Sequence, residues 1–305
     1  MNKNIVIAVD FGGTSIKLAK VQGSKIIEKY QPIDTPAYPA AMELKAELIK
    51  RLIELKDATI TGVGIGVPGL VKQPQGLVVE LGNVPGWNNL ALAEEVSREL
   101  GLPCKVDNDA NCAALAEARF GVGQEQSLML MVTLGTGVGS GIVENGYIWH
   151  GAYGYAGEIG RLQVPKVNTS TGEVTYEILD KICGHAAISE RARQFYKDQG
   201  IHEDLDGKVA LPYLAAQARL GDALAIKVWE KMAHDLALGL VNANALLNPS
   251  MIVIGGGVVA AADVFMSKMK TQFESLTWAE SSGIQIKVAK FGNDAGLIGA
   301  GQLLE

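Results

Sequence analysis

Asp10, Gly12, Gly13 and Thr14 lie together at the end of an apolar run, Ile5 to Val9, in the stretch IVIAVDFGGTSIKLAKV. A run rich in β-branched residues reads as a buried strand, and the two glycines read as a tight turn into a second strand. A carboxylate and a hydroxyl in such a turn have two readings. One is a β-hairpin with an acidic turn residue. The other is a loop that handles phosphate or a metal ion, because glycines let several backbone N–H groups converge on phosphate oxygens without side-chain obstruction. Two further glycine clusters favour the second reading. LGTGVGSGI, residues 134–142, again sets a Gly/Thr turn, with Thr136 and Gly137, between two apolar runs. Gly255, Gly256 and Gly257 follow the apolar run MIVI. Loops at 12–14 and 135–141 suit a polyphosphate gripped from two sides, and the cluster at 255–257 suits a nucleotide base or ribose lying flat against it. Asp10 would then hold Mg2+ directly or through water, since Mg2+ prefers oxygen ligands and keeps waters.

A second kind of chemistry is offered by VDNDAN, which places Asp107, Asn108 and Asp109 at the start of an alanine-rich helix. Asp and Asn cap helices well, and one of the three is expected to do so. Three polar residues in a row exceed what a cap needs. A carboxylate here that faces a hydroxyl can accept its proton as that hydroxyl attacks a phosphoryl group.

The elements that must position these residues follow from periodicity. Strands are predicted over residues 5–9, 15–21 and 25–31, and a helix over 40–56. A strand over 60–71 is closed by Pro68-Gly69, and an amphipathic helix over 90–100 is ended by Gly101. Residues 103–121 read as a short strand, the Asx cluster and a helix. From residue 127 the strand–glycine turn–strand pattern recurs, followed by helices over 209–220 and 222–247. A strand over 250–257, a helix from about Ala260, a strand over 284–290 and a Gly/Ala-rich helix over 295–304 complete the chain. The repeated hairpin-first α/β unit predicts two like-built halves that pack tightly, with a hinge near Gly121–Gly123 and the last helix crossing back to the first half.

Composition removes several function classes. The 305 residues carry 33 acids against 27 bases, a net charge of −6, with no basic run interleaved with aromatics, so a nucleic-acid partner is not expected. The three cysteines form no C-x-x-C pair and point to a reducing, cytoplasmic setting. No apolar stretch reaches membrane-spanning length without interruption, so no membrane partner is expected. No G-x-x-x-x-G-K-[ST], H-E-x-x-H or G-x-S-x-G is present. GIGVPG (64–69) and GGGVVA (255–260) fit the letters of a dinucleotide fingerprint, but the first has no helix after it and the second leaves too little chain for a dinucleotide domain. His150, His202 and His234 read as ordinary surface or packing residues, and Trp87 as core.

The motifs DFGGTSIK (10–17), GVGIGVPG (62–69), DNDANCAALAE (107–117), LGTGVGSGI (134–142), HGAYGYAGEIG (150–160) and NPSMIVIGGGV (248–258), in this order, resemble the ROK family of sugar kinases. The resemblance covers nearly the whole chain. It implies a two-lobed α/β fold of the actin-like ATPase (ribonuclease H-like) type, each lobe a mixed sheet flanked by helices, with a cleft between. The lobes implied are 1–120 plus 293–305, with the first phosphate loop and the catalytic Asp, and 121–292, with the second phosphate loop, the sugar-binding glutamates and the adenosine site. It implies ATP- and Mg2+-dependent phosphorylation of a hexose at its 6-hydroxyl, most simply glucose, by a cytoplasmic homodimer. Other substrates in view are fructose, mannose, an N-acetylhexosamine or a glycoside. From another class, a sugar sensor without turnover is in view. Repressor members carry a DNA-binding domain before the first strand, and the start of this chain favours the enzyme. The resemblance assigns catalysis to Asp109 and sugar binding to Gly69, Asn83, Asn108, Asp109, Glu158 and Glu190. It assigns ATP binding to Asp10, Gly12, Gly13, Thr14, Lys17, Thr136, Gly137, Gly255, Gly256 and Gly257. Many members also hold structural zinc with one His and three Cys. Here Arg161, Lys181 and Ile188 stand where three of those ligands would be, and Cys183 keeps the fourth, so no zinc is expected. Arg161 is expected to pair with Glu158, Glu190 or a backbone carbonyl instead.

Overall fold

The computed structural model describes residues 4–81, 84, 86–167, 171–202, 205–279 and 283–305. The chain divides into two compact units, one of residues 1–131, 141–157 and 289–305, the other of residues 132–140 and 158–288.

In the first unit, β1 (Ile5–Phe11), β2 (Ser15–Gln22), β3 (Lys25–Lys29), β5 (Ile60–Val67) and β8 (Cys104–Asn108) form a sheet in the order β3-β2-β1-β5-β8, with β4 (Ile33–Asp34) on β2. β1 pairs antiparallel with β2 and parallel with β5, which in turn runs parallel to β8. Alternate side chains of a strand face opposite ways. Ile7, Val9 and Phe11 therefore join one core with Leu44, Leu48 and Leu52 of α1 (Ala41–Leu55) and Leu92 and Val96 of α2 (Leu92–Leu100). Ala8 and Ala19 face the other way, toward Cys112 of α3 (Asp109–Phe120) and Leu297 of a C-terminal helix, Ala295–Ala300. This second face is built for close approach. A Cβ on Gly64 would stand 1.8 Å from the Ala300 carbonyl oxygen, and one on Gly299 would stand 1.6 Å from that of Cys112. The glycines of ITGVGIGV that resemble a fingerprint thus serve helix-on-sheet packing.

Several boundaries differ from those the sequence predicts. The strand expected over 60–71 breaks at Pro68, which has no N–H to give a ladder, and continues as β6 (Gly69–Lys72). β6 pairs with β7 (Leu77–Leu81), which short-range pattern did not predict. The terminal helix ends at Ala300 rather than 304, and the segment 289–305 belongs to the first unit.

The recurring hairpin consists of β9 (Leu128–Leu134) and β10 (Val138–Glu144), and the chain changes unit within each of them. They lie in a five-stranded sheet, β11-β10-β9-β14-β15, where β11 is Tyr147–Ile148, β14 is Met251–Gly255 and β15 is Gln285–Val288. The second unit also holds the hairpin β12 (Gln163–Val167) with β13 (Val174–Ile178), not anticipated from the sequence, and α4 (Asp180–Cys183) and α5 (His185–Asp198). α6 (Leu205–Lys208), α7 (Leu211–Arg219), the long α8 (Ala223–Leu247) and α9 (Ala262–Leu276) follow; the helix of 295–300 is α10. Asp222 caps α8 by accepting from the Ala225 N–H at 2.7 Å. Trp229 of α8 stacks on Phe265 of α9 with ring centroids 5.9 Å apart. Among the described residues no helix is long and apolar enough to cross a membrane.

Candidate active site

The first glycine loop is braced from outside its own sequence. Gly12 N–H donates to Ser15 O at 2.9 Å, closing the turn between β1 and β2. The buried Thr35 donates its hydroxyl to Gly12 O at 3.1 Å and its N–H to Thr14 O at 3.1 Å. Gly13 and Thr14 are exposed. Asp10 and Lys17 are direct partners in the β1–β2 register, and Lys17 Nζ lies 2.8 Å from Asp10 Oδ2. Gly296 at the start of α10 leaves room for that carboxylate, since a Cβ there would stand 2.9 Å from it.

The β8–α3 junction positions the acidic cluster. Asn108 is the helix cap: its Oδ1 accepts from the N–H groups of Ala110 (2.8 Å) and Asn111 (3.2 Å), and its Nδ2 donates to Gly69 O at 3.1 Å. Asn108 and Gly69 are therefore brought together. Asp109 opens the helix, accepting from the Ala110 N–H at 2.8 Å, where the dipole favours a negative side chain. Asp107 is 3% exposed and saturated by donors. Its Oδ1 accepts from Asn108 N (2.7 Å) and Asn111 Nδ2 (2.8 Å), and its Oδ2 lies 2.6 Å from His150 Nε2. His150 is thus not an ordinary surface residue. It opens the motif HGAYGYAGEIG, but its partner lies 43 positions away and is invisible to local pattern. Trp87 is core as expected, edge-on to Phe11 at 5.0 Å.

In the second unit the loop after β9 is held by the chain around α4 and α5. Gly135 O accepts from His185 N at 2.9 Å, and Val138 N donates to Asp180 Oδ1 at 2.8 Å. Gly137 presses on that same carboxylate, so that a Cβ would fall 1.9 Å from Oδ1. Thr136 and Gly135 line a cavity of about 450 Å3 with Gly257, Leu211, Ala215, Arg219 and Trp229 among its walls. Of the glycine cluster, Gly257 lines the cavity. Gly255 is buried as the last residue of β14, and Gly256, at φ 84°, backs onto Leu134. Arg219 at the cavity wall is gripped by both carboxylate oxygens of Asp263 at 2.7 Å. Trp229 Nε1 is buried without a hydrogen-bond partner. The helical walls escaped sequence reading because a residue lining a cavity and one lining the core share the same apolar periodicity.

Glu158 precedes a short 3-10 turn, Ile159–Arg161, without capping it through its side chain, and Ile159 N–H donates to Ser140 Oγ at 3.1 Å. Desolvation raises the Glu158 carboxyl above its usual range, Arg161 opposes this, and Asp180 adds to it. Arg161 itself is exposed, and its influence on Glu158 is one of charge without an ion pair. Glu190, on α5, is 69% exposed and pairs with Arg193 at 3.3 Å. It opens onto a separate groove of about 750 Å3 with Lys181 and Asp235, to which neither Thr136 nor Glu158 contributes. Asn83 lies outside the described residues. Where zinc ligands stand in the resemblance, Lys181 is exposed and Ile188 is fully buried. Cys183 points into the core with Sγ 3.8 Å from Met232 O, and burial pushes its thiol up. In this segment Leu179 N donates to Leu162 O at 2.9 Å, and Arg191 reaches Ile182 O and Asp235, each at 3.0 Å.

The chain is 33% identical to a glucokinase of Halalkalibacterium halodurans, over all of this chain and 96% of that protein. It is 32% identical to an N-acetyl-D-glucosamine kinase of Histophilus somni, over 96% and 97% of the two chains. A solved ROK family glucokinase from Streptomyces griseus, in complex with glucose and AMPPNP, superposes with a TM-score of 0.81 at 28% identity, covering 98% of this chain and 99% of that one. The sequence pattern that defines the ROK family matches residues 6–305, and the chain belongs to that family.

Proposed function

We propose that this chain is an ATP-dependent sugar kinase that phosphorylates a hexose at its 6-hydroxyl, with glucose the simplest substrate. The observation that carries the reading is the apolar cavity beside the Gly135–Val138 loop, in a chain similar to a glucokinase along its whole length. An adenine needs an apolar slot, and its phosphates need backbone N–H groups close by. Thr136 and Gly257 stand at that slot, and Gly12, Gly13 and Thr14 supply a second, braced loop. The ligand held by the Streptomyces relative, an ATP analogue, fits this division of labour.

Phosphoryl transfer asks mainly for positioning and charge stabilisation. The sugar hydroxyl oxygen forms a bond to the γ-phosphorus while the bond from that phosphorus to the β,γ-bridging oxygen breaks. Asp109 takes the hydroxyl proton, and ADP leaves with the bridging oxygen. Asn108 and Gly69, joined by their hydrogen bond, orient the sugar, and Glu158 accepts from its hydroxyls; Asn83 and Glu190 have the same assignment by resemblance. Lys17 holds Asp10 in place. Asp10 offers a single protein carboxylate, which fits Mg2+ carried mainly by phosphate oxygens and water. Such an ion supplies charge neutralisation on the phosphates when bound.

A second reading, phosphorylation of an N-acetylated hexosamine, is supported by the near-equal identity to the Histophilus kinase. A panel of glucose, mannose, fructose, N-acetylglucosamine, N-acetylmannosamine and β-glucosides, read by coupled ADP release, decides between them. Glucose is expected to show the highest kcat/KM. Tight binding of a panel sugar with no ADP release for any would replace the kinase by a sensor.

A further inference from the structure

The His150–Asp107 pair ties the acidic cluster at the start of α3 to the glycine-rich stretch that follows β11. We propose that His150 is a positioning residue: through Asp107 it sets the β8–α3 junction that presents Asn108 and Asp109, and it moors the glycine-rich loop of 151–157 to that junction. The proposal rests on the sugar-kinase reading above.

Asp107 has two carboxylate oxygens and three donors. Asn108 N and Asn111 Nδ2 share Oδ1, and Oδ2 takes His150 Nε2–H at 2.6 Å. A carboxylate oxygen only accepts, which makes the ring nitrogen the donor. Two of the donors belong to the first turn of α3 and to the cap itself. The orientation of the Asp107 carboxylate therefore sets the orientation of Asn108, whose Oδ1 caps the helix that Asp109 opens. Removing the imidazole would leave Oδ2 buried and unpaired, and a buried carboxylate in that state turns toward other donors or toward water.

The same histidine anchors the loop. Gly151, Gly154 and Gly157 all have positive φ, at 67°, 92° and 90°, so this stretch has no strand or helix of its own to hold it. Its path is set by tethers. His150 O accepts from Ala156 N at 3.1 Å, and Gly154 presses on β6, where a Cβ would stand 2.9 Å from Val71 O. β6 begins at Gly69, the acceptor of the Asn108 amide. One ring thus joins three segments assigned to the sugar, namely 69–72, 107–109 and the loop leading to Glu158. A residue that served only stability would lower the melting temperature and leave substrate constants alone.

The test compares His150→Ala and His150→Gln with the wild type, using steady-state constants for sugar and for ATP, thermal unfolding, and calorimetric sugar binding without nucleotide. His150→Ala is expected to lose roughly 10²-fold in kcat/KM for the sugar, the scale of about 1 Å of misplacement, with KM for ATP unchanged. His150→Gln, whose amide N–H reaches the same place, is expected to recover most of the loss. If His150→Ala does not fold, His150→Gln combined with Asp107→Asn keeps the test, because the pair is then expected to bind sugar no better than either single variant. Unchanged sugar constants in folded His150→Ala, or an equal loss toward ATP, would overturn the proposal while leaving the kinase reading intact. A wild type that releases no ADP overturns the kinase reading alone if His150→Ala still weakens sugar binding. If no panel sugar binds to the wild type, both fall.

Discussion

Asp109 and His150 mark the two ends of what a residue reveals about itself. Asp107, Asn108 and Asp109 together exceed what a helix cap requires, and the resemblance to the family picks Asp109 among them as the base. The structure assigns the cap to Asn108, whose Oδ1 takes two N–H groups, so Asp109 is not needed for that purpose. Asp109→Asn is expected to keep sugar affinity, since the amide retains shape and hydrogen bonding, and to lower kcat by roughly 10²–10⁴-fold, the range for loss of a general base. ADP release and calorimetry on one preparation measure both, and a near-wild-type kcat would remove Asp109 from the mechanism. The role proposed for His150 was not legible, because a lone histidine in a glycine-rich stretch carries no periodicity and its contact is with a carboxylate 43 positions away.

Glycine loops, at the scale of the element, were easy to find and harder to rank. Gly135, Thr136 and Gly137 look equivalent in LGTGVG, yet the tertiary structure gives them different duties. A side chain at Gly137 would strike the Asp180 carboxylate and pull the Val138 N–H off it, so substitution there tests loop integrity rather than phosphate contact. A Cβ at Gly135 meets nothing within 4 Å, although this residue lines the cavity. Gly135→Val is therefore expected to raise KM for ATP about tenfold or more, equivalent to ~1.4 kcal/mol of binding, with the melting temperature unchanged. An unaltered KM in that stable variant would reduce the loop to a turn. The hairpin of β12 and β13 and the helix of 185–198 were not predicted at all. Their segments are polar and interrupted, and they are held by partners such as Leu162, Asp235 and Met232 that lie elsewhere in the chain.

For the whole molecule, the last seventeen residues matter beyond their length. They rejoin the first unit, and α10 packs against α3 and β1. The packing distance is set by small residues, because the Ala300 carbonyl stands where a Gly64 side chain would be. Gly64→Val is expected to destabilise the protein by roughly 1–3 kcal/mol or more, as overpacking of a close helix–sheet contact does. Urea unfolding with unchanged m-value measures it, and a wild-type midpoint would show that α10 can move away at no cost.

The sequence by itself determined the strand–turn–strand openings of both halves, the alternation of strands and helices, and the family. The elements follow from periodicity, glycine turns and caps, which act over a few residues, and the family from motifs that resemble those of its members. Tertiary structure alone decided which glycines face a cavity and which merely let a helix approach, that Glu190 opens onto a different groove from Thr136, and that Cys183 is a core residue. It also decided that Thr35, Asp180 and His150 brace the loops and the acidic cluster. Each of these depends on which distant backbone or side chain arrives at a given point, and short-range pattern carries no information about such arrivals.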